Sequence, residues 1–275
     1  MKLLTTFRAA VAEIWSRHEL LEALIRRDLT LRYREAVMGV AWAVLLPMLT
    51  VGAGLAVRMA MGVMVGRAAG AVPIGAIAVK AVPWAFVVAT LNFTTASLVA
   101  NGGLIGKIWF PREVVPLAVI GSHLVDLGVG AAVVALMGPW LGLTLAPSLL
   151  AIPLLLLCLI LLVFAFGLIL SCLNLLFRDV KYLVQTGLTF AIFVTPVLYD
   201  PPSITSRLGL IVYANPVSAL LQGIRIAAID GRWPWLDGPA WNPWLLAWPV
   251  GLTIVLLPLA VLIFRRASTR FAELV

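Results

Sequence analysis

The chain has 275 residues, of which 63% are hydrophobic and only 12% charged, with a formal net charge of +8. Soluble domains carry about 25% charged residues, so a chain this apolar cannot cover a water-facing surface. That excludes an ordinary soluble domain, and the positive charge needs no nucleic-acid partner to explain it. The composition predicts instead an all-α membrane protein of six transmembrane helices, with an N-terminal amphipathic interfacial helix and short re-entrant helices in the last outer connection.

Residues 1–36 are charge-rich and mixed. From Ser16 to Glu35, the residues Leu20, Leu21, Leu24, Ile25 and Leu29 recur near helical spacing, and Arg17, Arg26, Arg27, Arg32 and Arg34 occupy much of the remaining surface. This pattern predicts a basic amphipathic helix lying in the membrane interface, with a solvated helix as the competing reading. No pattern of charged leader, short apolar core and small-residue cleavage site opens the chain, so no signal peptide is expected.

The first span is predicted at Gly39–Val57, followed by a short outer segment with Arg67, Gly70 and Pro73. The second runs from about Ala81 to Val99, with Lys80 just outside it. Residues 101–116 form a polar break. The third span is Val114–Met137, and a turn from Pro139 to Pro147 leads to a fourth at Leu149–Leu175. A charged break at 176–182 precedes a fifth span at Leu183–Tyr199. Residues 200–243 form the longest connection, and Trp244–Phe264 is the sixth span. The organisation is therefore a cytoplasmic N-terminus (1–36), a transmembrane domain (37–265) and a cytoplasmic tail (266–275). Cys158 and Cys172 share one apolar stretch, roughly 21 Å apart on a helix, and are expected to be inert buried thiols.

Charge sets the orientation. Of the 20 Lys and Arg residues, only Arg58, Arg67, Lys80, Arg207, Arg225 and Arg232 fall on one side. The remainder lie in the N-terminal segment, the two charged breaks and the tail. The positive-inside rule places both termini and those breaks in the cytoplasm.

The long outer connection contains Asn215-Pro216, a good helix start with Asn as cap and Pro at the first position. Val217, Leu220, Leu221 and Ile224 then line one face. The segment is too short and interrupted to span. A re-entrant or interfacial helix acting as a gate is expected, against a plain structured loop.

Catalytic signals are lacking. The stretch GGLIGKI at 102–108 has Asn101 where a phosphate-binding loop needs its first Gly, and Ile108 where it needs a hydroxyl. No metal site or cofactor of the chain's own is expected. His123 and Asp126 share a face of the third span and read either as a proton relay or as a packing pair hydrogen-bonded between helices.

Four blocks in register carry a family resemblance. They are LIRRDLTLRYREAVMGVAWAVLLPML (24–49), PWAFVVATLNFTTASLVANGGLIGKIWFPREVVPLA (83–118), LNLLFRDVKYLVQTGLTFAIFVTPVLY (173–199) and YANPVSALLQGIR (213–225). Together they resemble ABC-2-type polysaccharide-export permeases, the membrane subunits of O-antigen, capsule and teichoic-acid exporters. Lys80 departs from that pattern, which has small or apolar residues there.

The resemblance implies a permease of the bacterial inner membrane rather than an enzyme. It would be a homodimer bound to two copies of a separate ABC ATPase, which holds the ATP and Mg. The cargo would be a lipid-linked (polyprenyl-diphosphate) polysaccharide. Lys107, Arg112, Glu113, Arg178 and Asp179 are candidates for docking the ATPase, or else only orientation charges and surface pairs. Arg26, Arg27, Arg32 and Arg34 are candidates for the diphosphate head, and attraction to membrane phospholipid explains the same charges. Trp42, Trp84, Phe86, Phe93, Phe190, Phe193 and Tyr199 are candidates to line a glycan conduit, against a core or lipid-facing role. Competing functions are an ABC-2 permease for a drug or simple lipid, a proton-coupled secondary transporter and a membrane scaffold.

Overall fold

The computed structural model describes residues 12, 13, 15–34, 45, 48, 49, 52, 56, 74–107, 110–199, 201, 206–236 and 241–268. Its elements are helical. In chain order, α1 is His18–Arg34, α2 Ile74–Ala100, α3 the single turn Gly102–Ile105, α4 Val114–Leu136 and α5 the single turn Gly138–Leu141. A 3-10 turn at Pro147–Leu150 leads into α6, Ala151–Leu176. Then come α7 (Val180–Val194), α8 (Arg207–Ala214), α9 (Pro216–Arg225) with a π-helical turn at Ile226–Asp230, and α10 (Trp244–Ser268).

Among the described residues, α2, α4, α6 with its lead-in, and α10 are long and apolar enough to cross a membrane. The pair α8–α9, bent by 96° at Asn215, makes a fifth if counted as one span. The first predicted span, 39–57, lies outside the described residues but for isolated positions.

Two predicted boundaries are corrected. The fifth span was expected to reach Tyr199, but α7 stops at Val194 and is 15 residues long, about 22 Å against a hydrocarbon core of about 30 Å. Pro196 is the cause, because a residue preceding proline is pushed out of the helical region. Thr195 accordingly adopts φ −88°, ψ 124°. The second span was expected to begin after Lys80, but α2 starts at Ile74 and encloses Lys80, which is fully buried. Its Nζ donates to the Tyr199 carbonyl at 2.9 Å, giving the ammonium an acceptor where lipid would give none.

α2 is the central helix, packing on α4, α6, α7 and α9, while α6 also packs on α10. At Gly167 of α6 an added Cβ would stand 2.7 Å from Thr94 Cγ2 of α2, so the absent side chain is what lets these helices approach. Two apolar clusters fill the interior. One joins Val82, Phe86, Leu159, Leu220 and Trp241 around α9. The other joins Leu24, Leu98, Phe110, Val114, Leu168 and Phe264.

α1 lies along α4, with Ile25 over Gly121 and Leu24 buried in the second cluster. Burying a leucine is worth about 1.5–3 kcal/mol. An exposed pair such as Arg26–Glu22, at 2.5 Å, contributes about 0.2–1 kcal/mol. The apolar face therefore dominates the docking of α1 on the bundle.

Candidate functional site

The segment between α2 and α4 is built into the protein rather than looped away from it. Phe110 is buried. Arg112 donates to the Ser268 carbonyl, in the last turn of α10, where helix carbonyls lack intrahelical partners. Glu113 is buried, and Arg265 Nε donates to its Oε1 at 2.9 Å. Arg265 also reaches Glu13, ahead of α1, at 2.7 Å. Arg112 and Glu113 are thus both engaged inside the chain, whereas Lys107, Arg178 and Asp179 are exposed. Lys181 sits over the Tyr182 ring at 4.6 Å, and its backbone N–H donates to Asn174 Oδ1 at 3.1 Å, which ties the start of α7 to α6.

Among the described residues, the candidate headgroup arginines do not form one cluster. Arg26 pairs with Glu22 on the surface. Arg27 donates to Asp28 at 2.9 Å and to Asn101 at 2.7 Å. Arg32 forms an ion pair with Asp126 of α4. The side chain of Arg34 lies outside the described residues.

Arg32 joins His123 and Asp126 as a third member, and the group packs α1 against α4. His123 Nδ1 donates to the Val119 carbonyl at 2.8 Å, leaving Nε2 to accept from Arg32 Nη2 at 3.2 Å. The guanidinium also lies 5.5 Å over the Phe93 ring, which stands 5.2 Å from the His123 ring. A cation, a carboxylate, an imidazole and an aromatic ring from three helices thus meet at one point. Sequence spacing found His123 with Asp126. It had no means of finding Arg32, which is distant in the chain.

The candidate conduit aromatics separate. Trp84 and Phe86 are core side chains, 5% and 3% exposed. Phe93, Phe190 and Phe193 are exposed at 58%, 63% and 72%. Tyr199 is half-buried, and its hydroxyl donates to the Phe193 carbonyl at 3.1 Å. Trp42 lies outside the described residues.

At the other end of the bundle, α9 begins as the sequence predicts. Asn215 Oδ1 accepts from the Val217 N–H at 3.0 Å with Pro216 next in line. Asn215 Nδ2 donates to Thr195 Oγ1 at 2.9 Å, joining the α9 start to the turn after α7. Every residue from Ser218 to Ile224 is buried, so α9 is packed on all sides and is not a surface loop. Its π-helical end is fixed by Ser148, which donates to the Ala227 carbonyl at 2.8 Å, and by the Thr144 N–H to the Ala228 carbonyl at 2.9 Å. Arg225 pairs with Asp230 at 2.8 Å. Beside this end lies an apolar cavity of about 720 Å³ between α2, α4 and α6.

Among the described residues, no three His, Cys, Asp or Glu side chains are grouped to hold a metal ion. The arrangement offers packed helices, an anchored segment between α2 and α4, and the bent α8–α9 pair at the opposite end. The family described as "ABC-2 type transporter" matches residues 19–229. An O-antigen export system permease protein RfbA of Klebsiella pneumoniae is 26% identical over 266 residues, covering 93% of this chain and 95% of that protein. The RfbA permease of Myxococcus xanthus is 26% identical over 265 residues, covering 96% of this chain and 98% of that protein.

Proposed function

The chain belongs to the ABC-2 type transporter family, and from that premise we propose that it is the membrane subunit of an ATP-driven exporter of a lipid-linked (polyprenyl-diphosphate) polysaccharide such as O-antigen. It is a multi-pass permease, not an enzyme. The observation that carries the substrate class is similarity over at least 93% of the chain to permeases named for O-antigen export.

In this reading two copies of the chain form the pore, and two copies of a separate ABC ATPase bind ATP and Mg on the inner face. The exposure of Lys107, Arg178 and Asp179 supports a docking role for them. The diphosphate head arrives at the level of α1, where Arg26 and Arg27 can exchange their carboxylates for phosphate. The exposed rings of Phe93, Phe190 and Phe193 suit the apolar faces of sugars. The α8–α9 pair serves as the outer lid, since α9 beyond the bend is buried by protein, the condition for irregular structure at membrane depth.

Deleting the gene while following surface polysaccharide tests the reading. Loss of surface glycan with lipid-linked chains accumulating inside is the expected result, together with co-purification of an ABC ATPase. Unchanged glycan and no associated ATPase would overturn it.

A further inference from the structure

Resting on the export reading above, we propose that Arg265 is a positioning residue that couples the inner segment 101–113 to both α1 and α10. Two stretches distant in the chain from α10 converge on its guanidinium. Nε binds Glu113 at 2.9 Å and Nη2 binds Glu13 at 2.7 Å. A guanidinium does this because its donors point along different edges of one rigid plane.

Burial gives the contact its stiffness. The Glu113 side chain is 5% exposed, and a carboxylate that far from water is held there by its cationic partner. The neighbouring residue grips the same helix separately, since Arg112 donates to the Ser268 carbonyl one turn beyond Arg265. Phe110, Val114, Leu24 and Phe264 pack in one cluster beside these polar contacts. A displacement that reaches Arg112 and Glu113 is therefore passed to α10 through two bonds, and to Glu13 ahead of α1 through Arg265. With Arg265 removed, the ATPase still finds the exposed residues, but the motion it imposes reaches α1 only through the apolar cluster and the Arg27–Asn101 contact.

The experiment uses the full permease in complex with its ATPase, in vesicles. It reads the assembled complex, ATP hydrolysis, and glycan exported per ATP hydrolysed. Arg265→Gln is expected to assemble with the ATPase and to lower export per ATP at least tenfold. Arg265→Lys, which cannot span both carboxylates, falls between. The exchange Arg265→Glu with Glu113→Arg restores part of the ratio. A purely structural role would lower assembly and hydrolysis together and leave the ratio unchanged, and that result overturns the proposal. Glu13→Gln, at a more exposed carboxylate, decides the matter if Arg265→Gln does not accumulate. A severalfold lower ratio supports the coupling and an unchanged ratio overturns it. Failure of the wild-type chain to bind any ATPase would instead remove the export reading, and this inference with it.

Discussion

Arg32 of α1 and Asp126 of α4 form an ion pair roughly 18 Å along α4 from its first residue. That is about halfway along an apolar helix, and both side chains are only 27% exposed, so neither charge is well tolerated there alone. Each makes the position of the other possible, and together they hold the C-terminal part of α1 against the bundle.

Removing one member should therefore cost more than removing both. Asp126→Ala leaves the guanidinium without its counter-charge and is expected to destabilise the protein by about 2–4 kcal/mol, since the pair is mostly but not wholly buried. Arg32→Ala with Asp126→Ala should recover at least half of that loss. Thermal unfolding in detergent across the double-mutant cycle measures it, and additive losses would refute the coupling.

Asn215 has two separable jobs. Asn215→Asp keeps the oxygen that caps α9 but loses the amide that donates to Thr195. Asn215→Ala loses both. The Ala variant should cost about 1–2 kcal/mol from the cap alone, and the Asp variant less. If α9 is the lid, both should also raise the reactivity of a cysteine introduced at Gln222 with a water-soluble thiol reagent. Equal, low reactivity in all three proteins would count against the lid.

Lys80 is fully buried, so it should resist a water-soluble amine reagent in the detergent-solubilised protein even though it lies near the first turns of α2. Lys80→Met, which keeps the length and removes the charge, should leave the fold intact. It should also loosen the turn at 195–199 that the ammonium holds through the Tyr199 carbonyl. Hydrogen exchange of that turn would be faster in the variant, and labelling of the wild-type lysine would contradict its burial.

Gly167 faces Thr94 at a separation that admits no side chain. Gly167→Val is expected to cost about 1–3 kcal/mol by overpacking, because a β-branched threonine has little freedom to move aside. Adding Thr94→Ala should relieve much of it. The melting temperatures of the single and double variants decide the point.

Arg178→Glu reverses an exposed charge and should reduce recovery of the ATPase with the permease while leaving the permease thermally stable. Unchanged recovery would remove Arg178 from the docking surface.

The amino-acid sequence by itself determined that the chain is a helical membrane protein, the location of α4, α6 and α10 within a few residues, and the start of α9 at Asn215-Pro216. These features are local. Runs of apolar side chains, prolines and caps act through neighbours along the chain, and their energies are read from composition and spacing. Family membership was legible for a related reason, because four motif blocks kept their order along the chain. The tertiary structure decided the rest. Lys80 marked a helix end in the sequence because an isolated ammonium is costly in lipid, and only the fold supplied the Tyr199 carbonyl that pays for it. Arg32 was a candidate for a diphosphate head or for phospholipid, and only the fold placed Asp126 beside it. Arg112 and Glu113 were candidates for docking or for surface pairs, and only the fold brought the end of α10 to both. A charged residue advertises its cost in the sequence, but its partner is chosen by packing between distant segments, which spacing along the chain does not encode.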